Sequence, residues 1–183
     1  MKAFFNVRNM AVMAMFTAIS VVLARFAGVQ VSENLRISFE CVPIILTGIW
    51  VGPMAGGLVG ALADIIGTFL SGYGTYFPLL TVAPVLMGVL PGLMARYLFR
   101  NELNFAKLAA VVIVSEILAN LLYNSFALTL YYSMVLKQQA PFALLFATRV
   151  WSKTVIMVLD VGIVWVLHRA LYKKVVVRSL ASR

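Results

Sequence analysis

Glu116, Asn120 and Asn124 fall at i, i+4 and i+8 inside one long apolar run. On a helix that spacing stacks them on one face. Arg149 and Lys153 repeat the i, i+4 spacing in the next apolar run, Asp64 sits near the middle of an earlier one, and Arg25 ends the first. Ionisable groups inside apolar segments are costly and by default mark a site. A carboxylate can accept a bidentate pair from a ring amine and its adjacent N–H. A guanidinium grips a ligand carboxylate in the same fork geometry. Rings stand beside these groups. Phe39 follows Arg36 and Ser38, Tyr123 precedes Asn124, and Tyr76 and Phe77 end the stretch Gly72-Tyr73-Gly74-Thr75-Tyr76-Phe77-Pro78. A belt of aromatics at a membrane interface accounts for part of this pattern. Mobile glycines beside flat rings also suit a loop that closes over a planar ligand. Cations, carboxylates, amides and rings together fit a flat heteroaromatic ligand carrying negative charge. A structural salt-bridge network is the competing reading, and the number of cations exceeds what pairing requires.

Other chemistries find no support. The sequence contains no nucleophile–base pair and no P-loop, so an enzyme is not expected. One His, His168, and one Cys, Cys41, cannot build a zinc site, and a lone Cys forms no intrachain disulfide. No metal or cofactor is expected in this chain.

The elements that carry these residues are membrane helices. Apolar residues make up 63% of the 183 and charged residues 11%, against about 45–50% and about 25% in soluble domains. The net charge of +9 would suggest nucleic acid in a soluble protein. Here the basic residues flank apolar runs and act as orientation signals, so no nucleic-acid partner is expected. The expected fold is an all-α, six-transmembrane-helix bundle in one membrane domain, with helices about 9–27, 41–51, 54–71, 79–99, 105–135 and 142–172. The first run is read as a spanning helix, not as a cleaved signal peptide, because further spans follow it. The second helix is short, about half the hydrocarbon thickness, and is expected to form a tight hairpin with the third across Gly52-Pro53. Gly56, Gly57 and Gly60 are expected to let the third helix pack closely.

Six spans put both termini on one side. That side holds Lys2, Arg8, Arg96, Arg100, Lys107, Arg169, Lys173, Lys174, Arg178 and Arg183, ten of the fifteen Lys and Arg. Arg25, Arg36, Lys137, Arg149 and Lys153 lie toward the other. The positive-inside rule places both termini in the cytoplasm. The outer connections are then about 28–40, 72–78 and 136–141, and the candidate ligand site lies in the outer half. Asp160 lies nearer the inner half and is expected to be structural, paired with a basic residue such as Arg96 or within a helix contact. His168 is expected at the inner interface.

Ala11, Ala14 and Ala18 recur at i, i+3 and i+7. Small residues on one face permit close helix approach, either inside the bundle or against a partner subunit.

The chain resembles the substrate-binding S component of energy-coupling-factor vitamin transporters, and within that group the folate-specific branch. The matching stretches are Arg36-Ile-Ser-Phe39 with Pro43-Ile44, Gly52-Pro53 leading to Gly56-Gly57-Leu-Val-Gly60-Ala-Leu-Ala-Asp64-Ile-Ile-Gly67, and Tyr76-Phe77-Pro78. Ala14-x-x-x-Ala18 is similar to the family's small-residue contact with its coupling subunit. The resemblance implies a multi-pass cell-membrane protein that captures a vitamin outside, with the first and third connecting loops gating the site. It implies partnership with a membrane coupling (T) subunit and two ABC ATPases, which hydrolyse the ATP. Folate, with two carboxylates, fits the outer cations; pantothenate and pyrimidine- or pyridoxine-type vitamins are the alternatives. The substrate set is Arg25, Arg36, Phe39, Asp64, Tyr76, Phe77, Glu116, Asn120, Asn124, Arg149 and Lys153. A stand-alone secondary carrier is the remaining alternative, and the chain lacks the inverted repeat expected of one.

Overall fold

The computed structural model describes residues 7–26, 29–32, 35–37, 39–71, 76–100, 103–135, 137 and 142–172. Lys2, loop residues 72–75 and 138–141, and the basic tail from Lys173 lie outside them. The elements are α1 (Val7–Phe26), β1 (Val29–Ser32), β2 (Leu35–Ile37), α2 (Cys41–Trp50), α3 (Pro53–Ser71), α4 (Pro78–Leu93), α5 (Phe105–Ser115), α6 (Asn124–Met134) and α7 (Phe142–Tyr172). A π-helical turn, Met94–Leu98, extends α4, and a π-helical stretch, Glu116–Tyr123, joins α5 to α6. Six helical rods therefore form the described bundle. Four are long and apolar enough to cross a membrane: Pro53–Leu70, Pro78–Leu98, Phe105–Met134 and Arg149–Leu171. The chain is a multi-pass membrane protein. Its outward apolar side chains fit that solvent: Phe69 and Trp151 are each 76% exposed.

The first connection is more ordered than a polar loop. β1 and β2 form an antiparallel hairpin pairing Val29 with Ile37 and Gln30 with Arg36. Alternating Val-Gln-Val-Ser supplies the period of two that a strand needs.

α2 has ten residues, a rise of about 15 Å. It does not have to span the lipid alone, because every residue from Val42 to Ile49 is buried. A helix that is apolar all round belongs inside protein. Its neighbours come to backbone contact. A Cβ on Gly88 would lie 2.1 Å from the Gly56 carbonyl oxygen, and one on Gly48 would lie 2.2 Å from the Gly88 oxygen. Gly60 meets the Pro84 carbonyl in the same way. The close packing expected of the α3 glycines is thus against α4. Gly52, at φ +133°, turns the chain between α2 and α3, and Pro53 opens α3, where its missing N–H costs nothing.

At the far end of the bundle, one of the two options for Asp160 is corrected. Arg96 does not pair with Asp160: its Nη2 donates to the Val51 carbonyl at 2.7 Å, where it caps the α2–α3 turn. His168 is buried. Trp50 Nε1 donates to its Nδ1 at 3.0 Å, joining α2 to α7.

Candidate functional site

At the hairpin end of the bundle, opposite the start of α1, the rods enclose a cavity of about 280 Å³. α1 contributes Ser20, Ala24 and Arg25, and the start of α2 contributes Glu40, Cys41 and Ile44. From α3 come Ala63, Asp64 and Gly67, and from α4 Leu80, Pro84 and Met87. Asn120 of the π-helical stretch, Asn124 and Leu128 of α6, and Arg149 of α7 complete the wall.

The polar groups are held in place by identifiable bonds. An Arg25 Nη2 donates to the Gly67 carbonyl, tying the end of α1 to α3. Arg149 reaches Ser125 Oγ at 3.5 Å. Ser20 Oγ donates to the Glu40 carbonyl at 2.7 Å, fixing the entry to α2. Asn120 Nδ2 donates to Glu116 Oε2 at 2.8 Å and approaches Cys41 Sγ at 3.5 Å. With the amide nitrogen committed to those two partners, the amide carbonyl is what Asn120 offers the cavity. Pro84 has no N–H to donate to the Leu80 carbonyl one turn back. Both residues face the cavity, so α4 can present a further backbone acceptor there.

Of the eleven residues expected to bind substrate, Arg25, Asp64, Asn120, Asn124 and Arg149 line the cavity. Glu116 stands behind Asn120, 3% exposed. The helical i, i+4, i+8 spacing survives as a shared face even though the segment is π-helical. π segments are rare and occur at functional sites.

The other five are elsewhere. Tyr76 stacks on Phe69 with ring centroids 6.3 Å apart, and its hydroxyl lies 3.0 Å from Thr81 Oγ. Phe77 meets Tyr131 edge-on at 5.6 Å. Phe39 packs against the buried core. None of the three is among the described residues lining the cavity, because each has an apolar neighbour to cover. Lys153 is half-buried one turn beyond Arg149 and acts electrostatically on Cys41 and Asp160. Arg36 lies on β2 opposite Gln30, and its side chain lies outside the description.

Sequence reasoning overlooked Ser20, Glu40, Cys41 and Thr81. Thr81 Oγ donates to Asp64 Oδ2 at 2.7 Å. The signal was available for Ser20 and Thr81, polar residues within apolar runs. Glu40 and Cys41 are visible as wall residues only once α2 is packed.

Ala11, Ala14 and Ala18 are all exposed. The alanine face of α1 does not serve packing within the described bundle.

The match to known proteins extends over this whole arrangement. Residues 4–174 match the family described as ECF-type riboflavin transporter, S component. The chain is 28% identical over 120 residues to the folate transporter FolT of Clostridium novyi (strain NT), covering 66% of this chain and 67% of that protein. It is 27% identical over 160 residues to the folate transporter FolT of Leuconostoc mesenteroides subsp. mesenteroides, covering 86% and 83%. The crystal structure of FolT bound with folic acid aligns at a TM-score of 0.72 and 26% identity, over 90% of this chain and 95% of that one. With a family match that takes in all six rods and a solved relative aligned over nearly its whole length, the chain belongs to the ECF-type riboflavin transporter S component family.

Proposed function

We propose that this protein is the folate-capturing S component of an energy-coupling-factor importer. The observation that carries the reading is the composition of the cavity wall. Arg25 and Arg149 stand there with Asp64, Asn120 and Asn124, which together suit a ring edge bearing hydrogen-bond donors joined to an anionic tail. The likeness to two folate transporters and to a folic-acid-bound FolT supports that choice. The ring enters the cavity and the tail stays near the mouth. Asp64 is the better ring reader, because Glu116 sits behind Asn120.

The site opens away from the cytoplasm and both termini are cytoplasmic, a reading supported by the ten basic residues on the terminal side. The chain is not an enzyme. A membrane coupling subunit and two ABC ATPases complete the importer, and the exposed alanine face of α1 is the surface on which the coupling subunit packs. The connections after α1 and α3 gate the cavity.

A second reading, riboflavin, is favoured by the description of the matched family. Riboflavin has no carboxylate for Arg25 and Arg149. Mass spectrometry of small molecules copurifying with the protein decides between them. Recovery of folate, with riboflavin unable to displace it, is the expected result; recovery of riboflavin would overturn the folate assignment and leave the family standing.

A further inference from the structure

We propose that Glu116 is a positioning residue that sets the ligand class of the cavity. It holds the Asn120 amide so that the ligand meets a carbonyl oxygen, and it thereby selects rings that bring a hydrogen-bond donor to that point. The choice of ligand rests on the folate reading; the bond between the two residues does not.

Both residues belong to the π-helical stretch, with Glu116 3% and Asn120 7% exposed. Asn120 lines the cavity. A carboxylate offers acceptors only, whereas a primary amide has a donor end and an acceptor end. Asn120 Nδ2 lies 2.8 Å from Glu116 Oε2. Reversing the amide would set its carbonyl against a carboxylate oxygen, two acceptors with no proton between them. Cys41 Sγ, 3.5 Å from the same nitrogen, adds a weak acceptor from α2.

The second oxygen of Glu116, Oε1, is buried without a hydrogen-bond partner among the described residues. An acid inside an apolar segment is costly. Among those residues, the hydrogen bond that Glu116 makes is the one that orients Asn120. A neutral side chain would orient it less strictly, because a glutamine could donate to the Asn120 carbonyl or accept from its nitrogen.

The orientation has a consequence for the ligand. Asp64 has one oxygen engaged by Thr81, and the Asn120 carbonyl is a further acceptor on the same cavity wall. Acceptors on two elements suit a ring that carries an amine beside a ring N–H. A ring with a carbonyl in place of that amine brings an acceptor to an acceptor. Buried polar groups left unpaired by the wrong ligand are what give such a site its discrimination.

Titration of the full chain in lipid nanodiscs tests the selectivity with pterin and lumazine, bicycles that differ by an amine against a carbonyl. The wild type should prefer pterin by roughly tenfold or more. Glu116→Gln should bring that ratio down toward one, with pterin weakened and lumazine strengthened. A merely structural role would weaken both alike, and that result overturns the proposal. So does a wild type that binds both bicycles equally.

The bond itself is tested without ligand by exchanging the two groups. Asn120→Asp sets two carboxylates against each other and should lower the melting temperature in mildly alkaline buffer. Adding Glu116→Gln moves the amide to the other side of the same bond and should recover most of the loss. If Asn120→Asp alone does not fold, recovery of folded protein in the double variant is the same supporting result. Failure of the second substitution to recover the first overturns the proposal, whichever vitamin binds. A wild type that binds neither folate nor either bicycle would overturn the folate reading, while the exchange still decides whether Glu116 holds residue 120.

Discussion

Thr81 Oγ lies 2.7 Å from Asp64 Oδ2 and 3.0 Å from the Tyr76 hydroxyl. A threonine has one hydroxyl proton. The carboxylate is the stronger acceptor, so Thr81 donates to Asp64 and accepts from Tyr76. The relay crosses from the α3–α4 connection to the cavity wall. It holds one carboxylate oxygen and leaves the other for a ligand.

Thr81→Val keeps the shape and removes the hydroxyl. A hydrogen bond to a charged group contributes about 1.5–3 kcal/mol, so folate affinity should fall by roughly tenfold or more. Thr81→Ser should restore most of it. Isothermal titration of the three proteins distinguishes loss of the bond from loss of packing, because serine restores only the bond.

Arg149→Ala should weaken folate binding by roughly 30-fold or more, from the cost of about 2–5 kcal/mol for breaking a buried charged contact. A ligand analogue without tail carboxylates should lose far less. Equal losses for both ligands, in a variant that still folds, would falsify the assignment of Arg149 to the tail.

Ala14→Trp and Ala18→Trp should stop uptake in cells while leaving binding to the isolated protein unchanged. Both positions are exposed, so the large ring meets only lipid until a partner helix must approach. Loss of binding in the purified variants would place the face inside this protein's own fold.

Gly88→Ala should destabilise the bundle by at least about 1–3 kcal/mol, the range for overpacking a filled core. The added methyl would lie 2.1 Å from the Gly56 carbonyl, and backbone cannot move aside as a side chain can. A lowered melting temperature is the readout. Gly162→Ala is the control, since nothing lies within 4 Å of its Cβ position.

Single cysteines at positions 2 and 180, introduced on a Cys41→Ser background, should resist an impermeant thiol reagent in sealed cells and react after permeabilisation. Labelling of either from outside contradicts the cytoplasmic placement of the termini.

The membrane character of this chain and its helical rods could be read from composition and run length alone, because lipid solvent demands long apolar segments whatever their packing. The face shared by Asn120 and Asn124 was equally readable, since helical spacing is a local property, as was the presence of Asp64 and Arg149 within apolar runs. Packing decided the rest. Tyr76, Phe77 and Phe39 have the right chemistry to cover a ring, but their places depend on which neighbours α3, α6 and the core present to them. Asp160 was expected to be structural, paired with a basic residue such as Arg96 or within a helix contact. Asp160 is fully buried on α7, and Arg96 went to the Val51 carbonyl. No spacing rule relates residues on different rods. Their meeting depends on backbone contacts such as Gly56 with Gly88, which set how closely and at what angle the helices cross.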